Sequence, residues 1–217
     1  YNFNSYGGIT YGKTASVLLT LEGIIGEDTM AKAMRTYFMK YRFTHPTKKD
    51  FLDTIEEVSG KKLDWYFSQA IYGSPVLDYE VGSVDSFPVN WYEDEKQDKD
   101  KKSKKKDAKD DTVYQSYVAL RRVEDFVMPV EVEIKFDNGE KVREHWDGQS
   151  RWIRYSYQKK AKVVSAEIDP DHTVQIDRNN FNNSYVVEAN TKPTHKLSNY
   201  WMFVSQWVAQ ALAWWAV

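Results

Sequence analysis

The chain has 217 residues, 41% hydrophobic and 29% charged, with a formal net charge of −2. That charge balance gives no electrostatic basis for nucleic-acid binding. The absence of cysteine excludes disulfides, thiolate nucleophiles and thiolate metal sites. Residue 1 is Tyr, and the far end, A-L-A-W-W-A-V, stops inside an apolar run, so the sequence is expected to be part of a longer protein.

Residues from about Lys13 to Phe67 read as helices. In the first, Val17, Leu18, Leu21, Ile24 and Ile25 recur on one face at helical spacing. Gly26 ends it, and Glu27-Asp28-Thr29 suits the start of the next helix. That second helix is expected to turn Met30, Ala33, Met34, Tyr37, Phe38 and Tyr41 inward. Pro46 disfavours helix at His45, and Thr47 with Asp50 forms a capping pattern. A third helix uses Phe51, Leu52, Ile55 and Val58 and stops at Ser59-Gly60. A short fourth, L-D-W-Y-F-S-Q-A-I-Y, closes at Gly73-Ser74-Pro75.

After Pro75 the period changes from helix to strand. L-D-Y-E-V-G-S-V alternates apolar and polar residues. Further strands are predicted at Val113–Arg121, Val127–Phe136, Lys141–Trp146, Arg151–Tyr157, Ala161–Ile168 and Val174–Asp177. Asn138-Gly139 marks a hairpin and Asp147-Gly148 another turn. About seven short strands at this spacing predict a β-sandwich of immunoglobulin-like size. Residues 93 to 111 hold eight acidic residues and eight lysines and nothing apolar larger than Ala108. They are expected to form a disordered, solvated insertion at 93–112.

The tail from Leu197 to Val217 carries no charge. Tyr200, Trp201, Phe203, Val204, Trp207, Val208, Leu212, Trp214 and Trp215 share one broad helical face, opposite Ser198, Asn199, Ser205, Gln206 and Gln210. This amphipathic helix has three readings: packing on protein, lying at a membrane interface, or beginning a span. The polar stripe counts against spanning.

By residue chemistry alone the chain holds no complete active site. His45, His145, His172 and His195 are not at metal-ligand spacing, and no H-E-x-x-H, G-x-S-x-G or Gly-rich phosphate loop is present. Glu56-Glu57 reads as a solvated helix surface and His145 as a strand-end surface residue.

An ordered set of short motifs adds a resemblance. Y-G-K-T-A-S-V-L-L-T-L-E-G-I-I-G-E-D-T-M-A-K-A-M-R-T-Y is followed by F-T-H-P-T-K-K-D-F, Ser59-Gly60, Trp65-Tyr66-Phe67 and Gly73-Ser74-Pro75. Further on come V-E-I-K-F-D-N-G, W-D-G and A-E-I-D-P-D-H-T-V-Q-I-D-R-N-N-F-N-N-S. Together, over roughly residues 5 to 184, these resemble the later part of the aminopeptidase N family of zinc metallopeptidases, gluzincins of the membrane alanyl aminopeptidase type. Gly12 after the tyrosine and Thr14, where many members have Gly, depart from the pattern.

The resemblance implies an α+β multidomain fragment. Residues 1–75 would be the helical C-terminal lobe of a thermolysin-like catalytic domain. Residues 76–187 would be the immunoglobulin-like β-sandwich with its charged insertion, and residues 188–217 a linker and aromatic amphipathic helix. It implies a zinc-dependent aminopeptidase acting on peptide substrates, with one zinc ion in the intact protein. Tyr11 would donate its phenolic hydrogen bond to the oxyanion of the tetrahedral intermediate, opposite the zinc. Tyr6 would lie near the substrate. The family's zinc ligands, two His and a Glu, and its general-base Glu lie upstream of Tyr11. The fragment is thus expected to bind no catalytic zinc, to be inactive alone, and to have the missing N-terminal part of the same chain as its partner. Neither nucleic acid nor a fixed compartment is implied, and a bacterial envelope or membrane-associated location is favoured over cytoplasm. The competing expectations are a non-catalytic peptidase-like binding module, and a membrane-surface adaptor acting through 197–217.

Overall fold

The computed structural model of the chain describes residues 6–89, 112–188 and 192–215. The charged segment 93–111 lies outside the described residues. Two compact units meet in sequence at Tyr185 and Val186.

The first unit begins with helices. A π-helical segment, Gly8–Lys13, runs without interruption into α1, Thr14–Ile25. Then come α2, Glu27–Tyr41, α3, Lys48–Ser59, and α4, Asp64–Ala70. The apolar stripe of α1 faces inward as its spacing predicts, with Val17, Leu21 and Ile25 buried. Leu18 and Ile24 are partly buried against the same core. On α2, Met30 and Ala33 are buried, and Tyr37 meets Phe51 of α3 edge-on with ring centroids 5.2 Å apart.

Met34 and Phe38 depart from expectation: they are 43% and 62% exposed. The inward stripe of α2 is narrower than its apolar face. Residues at the stripe's centre reach α1 and α3, while Met34 and Phe38 sit on its flank and turn outward.

The start of α3 is as its sequence predicts. The Thr47 side chain accepts from the Asp50 amide, and the Asp50 carboxylate accepts from the Thr47 amide at 2.8 Å. Gly60 ends the helix in the left-handed region at φ 66°. The Thr47 hydrogen bonds hold the Asp50 carboxyl below the usual carboxylate range. A depressed folded pKa contributes stability that is present above the unfolded value and lost as pH falls through the folded one. Wild-type stability is therefore expected to drop more steeply than that of Asp50→Asn on acidification below about pH 4. Urea titrations of both proteins across the acid range check this, and parallel pH profiles would exclude a role for the cap.

Among the described residues seven strands follow: β1, Tyr79–Pro88; β2, Tyr114–Arg122; β3, Val130–Phe136; β4, Lys141–Trp146; β5, Trp152–Lys159; β6, Val163–Ile168; and β7, Ser184–Val186. They form a three-stranded sheet, β1-β2-β5, and a four-stranded sheet, β4-β3-β6-β7. The pairings of β1 with β2, β2 with β5, and β3 with both β4 and β6 are antiparallel. The β3–β4 hairpin turns through Asn138-Gly139 as predicted, with Gly139 at φ 88°. Alternate residues of β2 and β3 are buried. The sheets meet through Phe136 and Tyr157, 5.5 Å apart and edge-on, and through Tyr79 and Trp146 at 5.0 Å. The architecture is thus α+β, with two antiparallel sheets.

One strand is misplaced by sequence pattern. Residues 174–177 form no strand; they make only an isolated bridge between Leu77 and Asp177. The reason is the Asp169 carboxylate, which accepts from the Thr173 amide at 3.0 Å and the Val174 amide at 2.7 Å. It ties up the backbone donors that a ladder needs. The seventh strand is β7, from the polar run that follows.

Helices and sheets share one core, joined by specific polar contacts. Gln69 of α4 donates to the Val127 carbonyl at 3.0 Å and accepts from the Val127 amide at 2.8 Å. Thr20 of α1 accepts from the Gln175 amide at 2.9 Å. The Tyr66 hydroxyl, buried in α4, donates to the Val17 carbonyl at 2.7 Å. Tyr66 also faces Phe126 edge-on at 6.1 Å.

The second unit contains α5, Lys192–Trp215, which begins before the Leu197 start read from the sequence. Among the described residues no helix is long and apolar enough to cross a membrane.

Candidate functional site

The two sequence-predicted site residues sit at the very start of the helical part. Tyr11 lies inside the π-helical segment and is 72% exposed; Tyr6, in the turn before it, is 55% exposed. A loop is expected there, given Gly7-Gly8 and Gly12, yet helical backbone extends from Tyr6. Every residue from Gly8 to Lys13 is free of burial. The wide turn is closed at its end by Thr14, whose amide and hydroxyl both donate to the Ile9 carbonyl, the hydroxyl at 3.2 Å. Such π turns are rare and concentrate at functional sites. Ordinary α winding would turn residues five apart toward opposite sides. Winding with five-residue hydrogen bonds changes that relation from Gly8 onward, where Tyr11 lies. The Tyr11 hydroxyl is unpaired among the described residues.

A cleft of about 340 Å³ opens next to this segment, lined by Lys13, Ser16, Val17, Pro75, Phe126 and Ile176 among others. Neither tyrosine lines it. It is largely apolar, and it separates the first turns of α1 from the sheet side of the core.

The four histidines are dispersed. His45 is in the α2–α3 connection, and His195 is on α5. His145, at the end of β4, pairs its Nδ1 with Glu131 at 2.8 Å on an exposed surface. His172 adopts a left-handed φ of 52° in the β6–β7 connection. Among the described residues no group of three or more His, Cys, Asp or Glu side chains is placed to hold a metal ion. The donors among the described residues do not fit zinc.

The remaining polar groups with unusual surroundings serve the fold. Glu56 is a correction to the solvated surface reading: its Oε1 accepts from the Leu63 amide at 2.7 Å and so pins the α3–α4 connection. Burial pushes the Tyr79 phenol up to about 12. Its hydroxyl donates to the Met128 carbonyl. Burial also raises the Asp177 carboxyl, although that group accepts from the Asn179 amide at 2.9 Å and from Asn183 at 3.1 Å. These groups are engaged by hydrogen bonds within the fold.

Residues 3–69 match the peptidase family M1 domain. The segment thus includes both tyrosines and α1 to α3. Aminopeptidase N of Streptomyces lividans is 39% identical over 59 residues, covering 27% of this chain and 7% of that protein. Probable aminopeptidase 2 of Sulfurisphaera tokodaii is 32% identical over 65 residues, covering 28% of this chain and 8% of that protein. The chain therefore spans less than a tenth of the length of these relatives. Among solved structures, aminopeptidase A of Legionella pneumophila, in complex with aspartic acid, aligns with 79% of this chain and 18% of its own. That alignment has 16% identity and a TM-score of 0.49.

Proposed function

We propose that this chain is a member of peptidase family M1, whose domain matches residues 3–69, and the C-terminal part of an aminopeptidase that removes N-terminal residues from peptides. The observation that carries this reading is the family match over residues 3–69, with Tyr11 inside it on an exposed, unburied turn. Residues 1–75 are then the closing helical lobe of a thermolysin-like catalytic domain. Residues 76–187 are an immunoglobulin-like sandwich, and 188–217 a linker and amphipathic helix.

The role proposed for Tyr11 follows from its chemistry. A phenol is a neutral donor held on a short, stiff side chain. Placed over a scissile carbonyl, it stabilises negative charge as that charge develops on the oxygen. It needs no proton transfer to do so. Tyr6, five residues earlier, would border the bound peptide.

Zinc is the cofactor this family uses. Since the described residues offer it no fitting site, its ligands and the general base are assigned to the part of the catalytic domain that precedes Tyr1 in the intact protein. The 217-residue chain by itself is then inactive toward peptides.

The test is the coding sequence upstream of Tyr1, followed by assay of the intact protein. An H-E-x-x-H with a further downstream Glu, and aminopeptidase activity abolished by a chelator and restored by zinc, are expected. An upstream region that aligns with the family but lacks those residues would remove the catalytic reading and leave a peptidase-like binding module. A membrane-surface role for α5 is compatible with either result and stands on separate observations.

A further inference from the structure

α5 is amphipathic, and its long aromatic stretch is uncharged. From Leu197 to Val217 there is no Asp, Glu, Lys, Arg or His. At the helical period Tyr200, Val204 and Trp207 run along the centre of one half of the helix. Phe203 and Trp214 border that half on one side, Trp201 and Leu212 on the other. The opposite half is Ser, Asn, Gln, Met and Ala. Tyr200, Trp201, Phe203, Trp207, Leu212 and Trp214 are each more than half exposed.

The composition discriminates between the occupants such a face can have. Helices that pair with protein along an apolar seam usually flank it with charges that set partner and register. This helix has none along its aromatic stretch. A bilayer interface, by contrast, favours Trp and Tyr at headgroup level, where an apolar ring meets a polar edge. The basic side chains of α5, Lys192, His195 and Lys196, stand at its start, with no Asp or Glu on the helix to repel phosphate headgroups. A helix of this length is about 36 Å long at 1.5 Å per residue, but its polar half keeps it from crossing.

We propose that α5 lies in the plane of a lipid bilayer, with its aromatic half in the headgroup–acyl boundary. An uncharged polar half makes insertion of rings, and not attraction to anionic lipid, the driving term. Binding then favours loosely packed, curved surfaces and persists in salt. This inference does not depend on the peptidase reading.

The experiment is flotation of the 217-residue chain with phosphatidylcholine vesicles, small and large, at low and high salt. Flotation with small vesicles, weaker with large ones and undiminished by salt, is expected, together with a blue shift of tryptophan emission. Val204→Glu with Trp207→Glu should lower the bound fraction by about tenfold or more. Gln206→Glu with Gln210→Glu adds the same charge to the polar half and should stay within about twofold. Circular dichroism of both double variants monitors the fold of the chain. The proposal fails if the wild-type chain does not float, or if the two double variants lose binding equally. It fails if binding needs anionic lipid and vanishes in salt, which would reassign it to Lys192 and Lys196. It also fails if the chain self-associates without lipid through the aromatic half and shows no flotation, which would make a second copy the occupant.

Discussion

Tyr11→Phe in the intact protein is expected to lower kcat by about two to three orders of magnitude, with KM nearly unchanged. The substitution deletes one hydroxyl and keeps the ring. Tyr11 is 72% exposed and lies in a turn with no buried residue. Its hydroxyl is unpaired among the described residues, so the fold loses no hydrogen bond recorded there. A packing role thus predicts no kinetic change and an unaltered melting curve. A donor to the developing oxyanion predicts equal falls in kcat and kcat/KM, because the bond is made only in the transition state. The expected loss corresponds to about 3 kcal/mol of barrier. Tyr6→Phe should act differently, raising KM more than it lowers kcat, since its proposed place is beside the bound peptide. Steady-state kinetics of the two variants against wild type, with melting curves alongside, decide the matter. Full activity in Tyr11→Phe would return that residue to the surface of the helical lobe.

The fold was legible wherever local chemistry and tertiary packing agree. The stripes of α1 and α3, the Thr47–Asp50 cap and the Asn138-Gly139 hairpin are each encoded within a few residues. The failures have longer-range causes. Met34 and Phe38 have the right spacing to be core, but burial depends on which partners reach the flank of α2, and spacing says nothing of that. Val174 and Ile176 alternate as a strand would, yet a carboxylate at Asp169 claims the neighbouring amides. Glu56 reads as a surface charge because its partner, the Leu63 amide, belongs to the next connection. The candidate site was less legible than the fold. No spacing rule singles out Tyr11; only the ordered family motifs do. The helical backbone over residues 6–13 was hidden by Gly7-Gly8 and Gly12, residues that ordinarily interrupt helices.

Gly148→Ala is expected to destabilise the first unit by about 2–4 kcal/mol. Gly148 belongs to the Trp146-Asp147-Gly148 turn after β4, with φ at 70°. A Cβ there would overlap the Tyr79 hydroxyl and lie 2.5 Å from the Met128 carbonyl oxygen. That pair is itself hydrogen-bonded, and the Met128 amide donates back to the same hydroxyl at 3.2 Å. Arg122, buried nearby, donates from Nε to the Gly148 carbonyl at 3.0 Å. The added methyl therefore meets two groups that cannot both yield without breaking a buried hydrogen bond. The left-handed backbone adds about 1 kcal/mol for any residue with a Cβ, and overpacking adds about 1–3. Gly139→Ala separates the two contributions. Gly139 has a φ of 88°, but a Cβ there meets nothing within 4 Å. It should cost only the backbone component, about 1 kcal/mol. Urea unfolding reads both: the midpoint should move further for Gly148→Ala, with the slope unchanged in each. Equal shifts would mean that Tyr79 and Met128 move aside cheaply, and the turn would then be held by its backbone conformation alone.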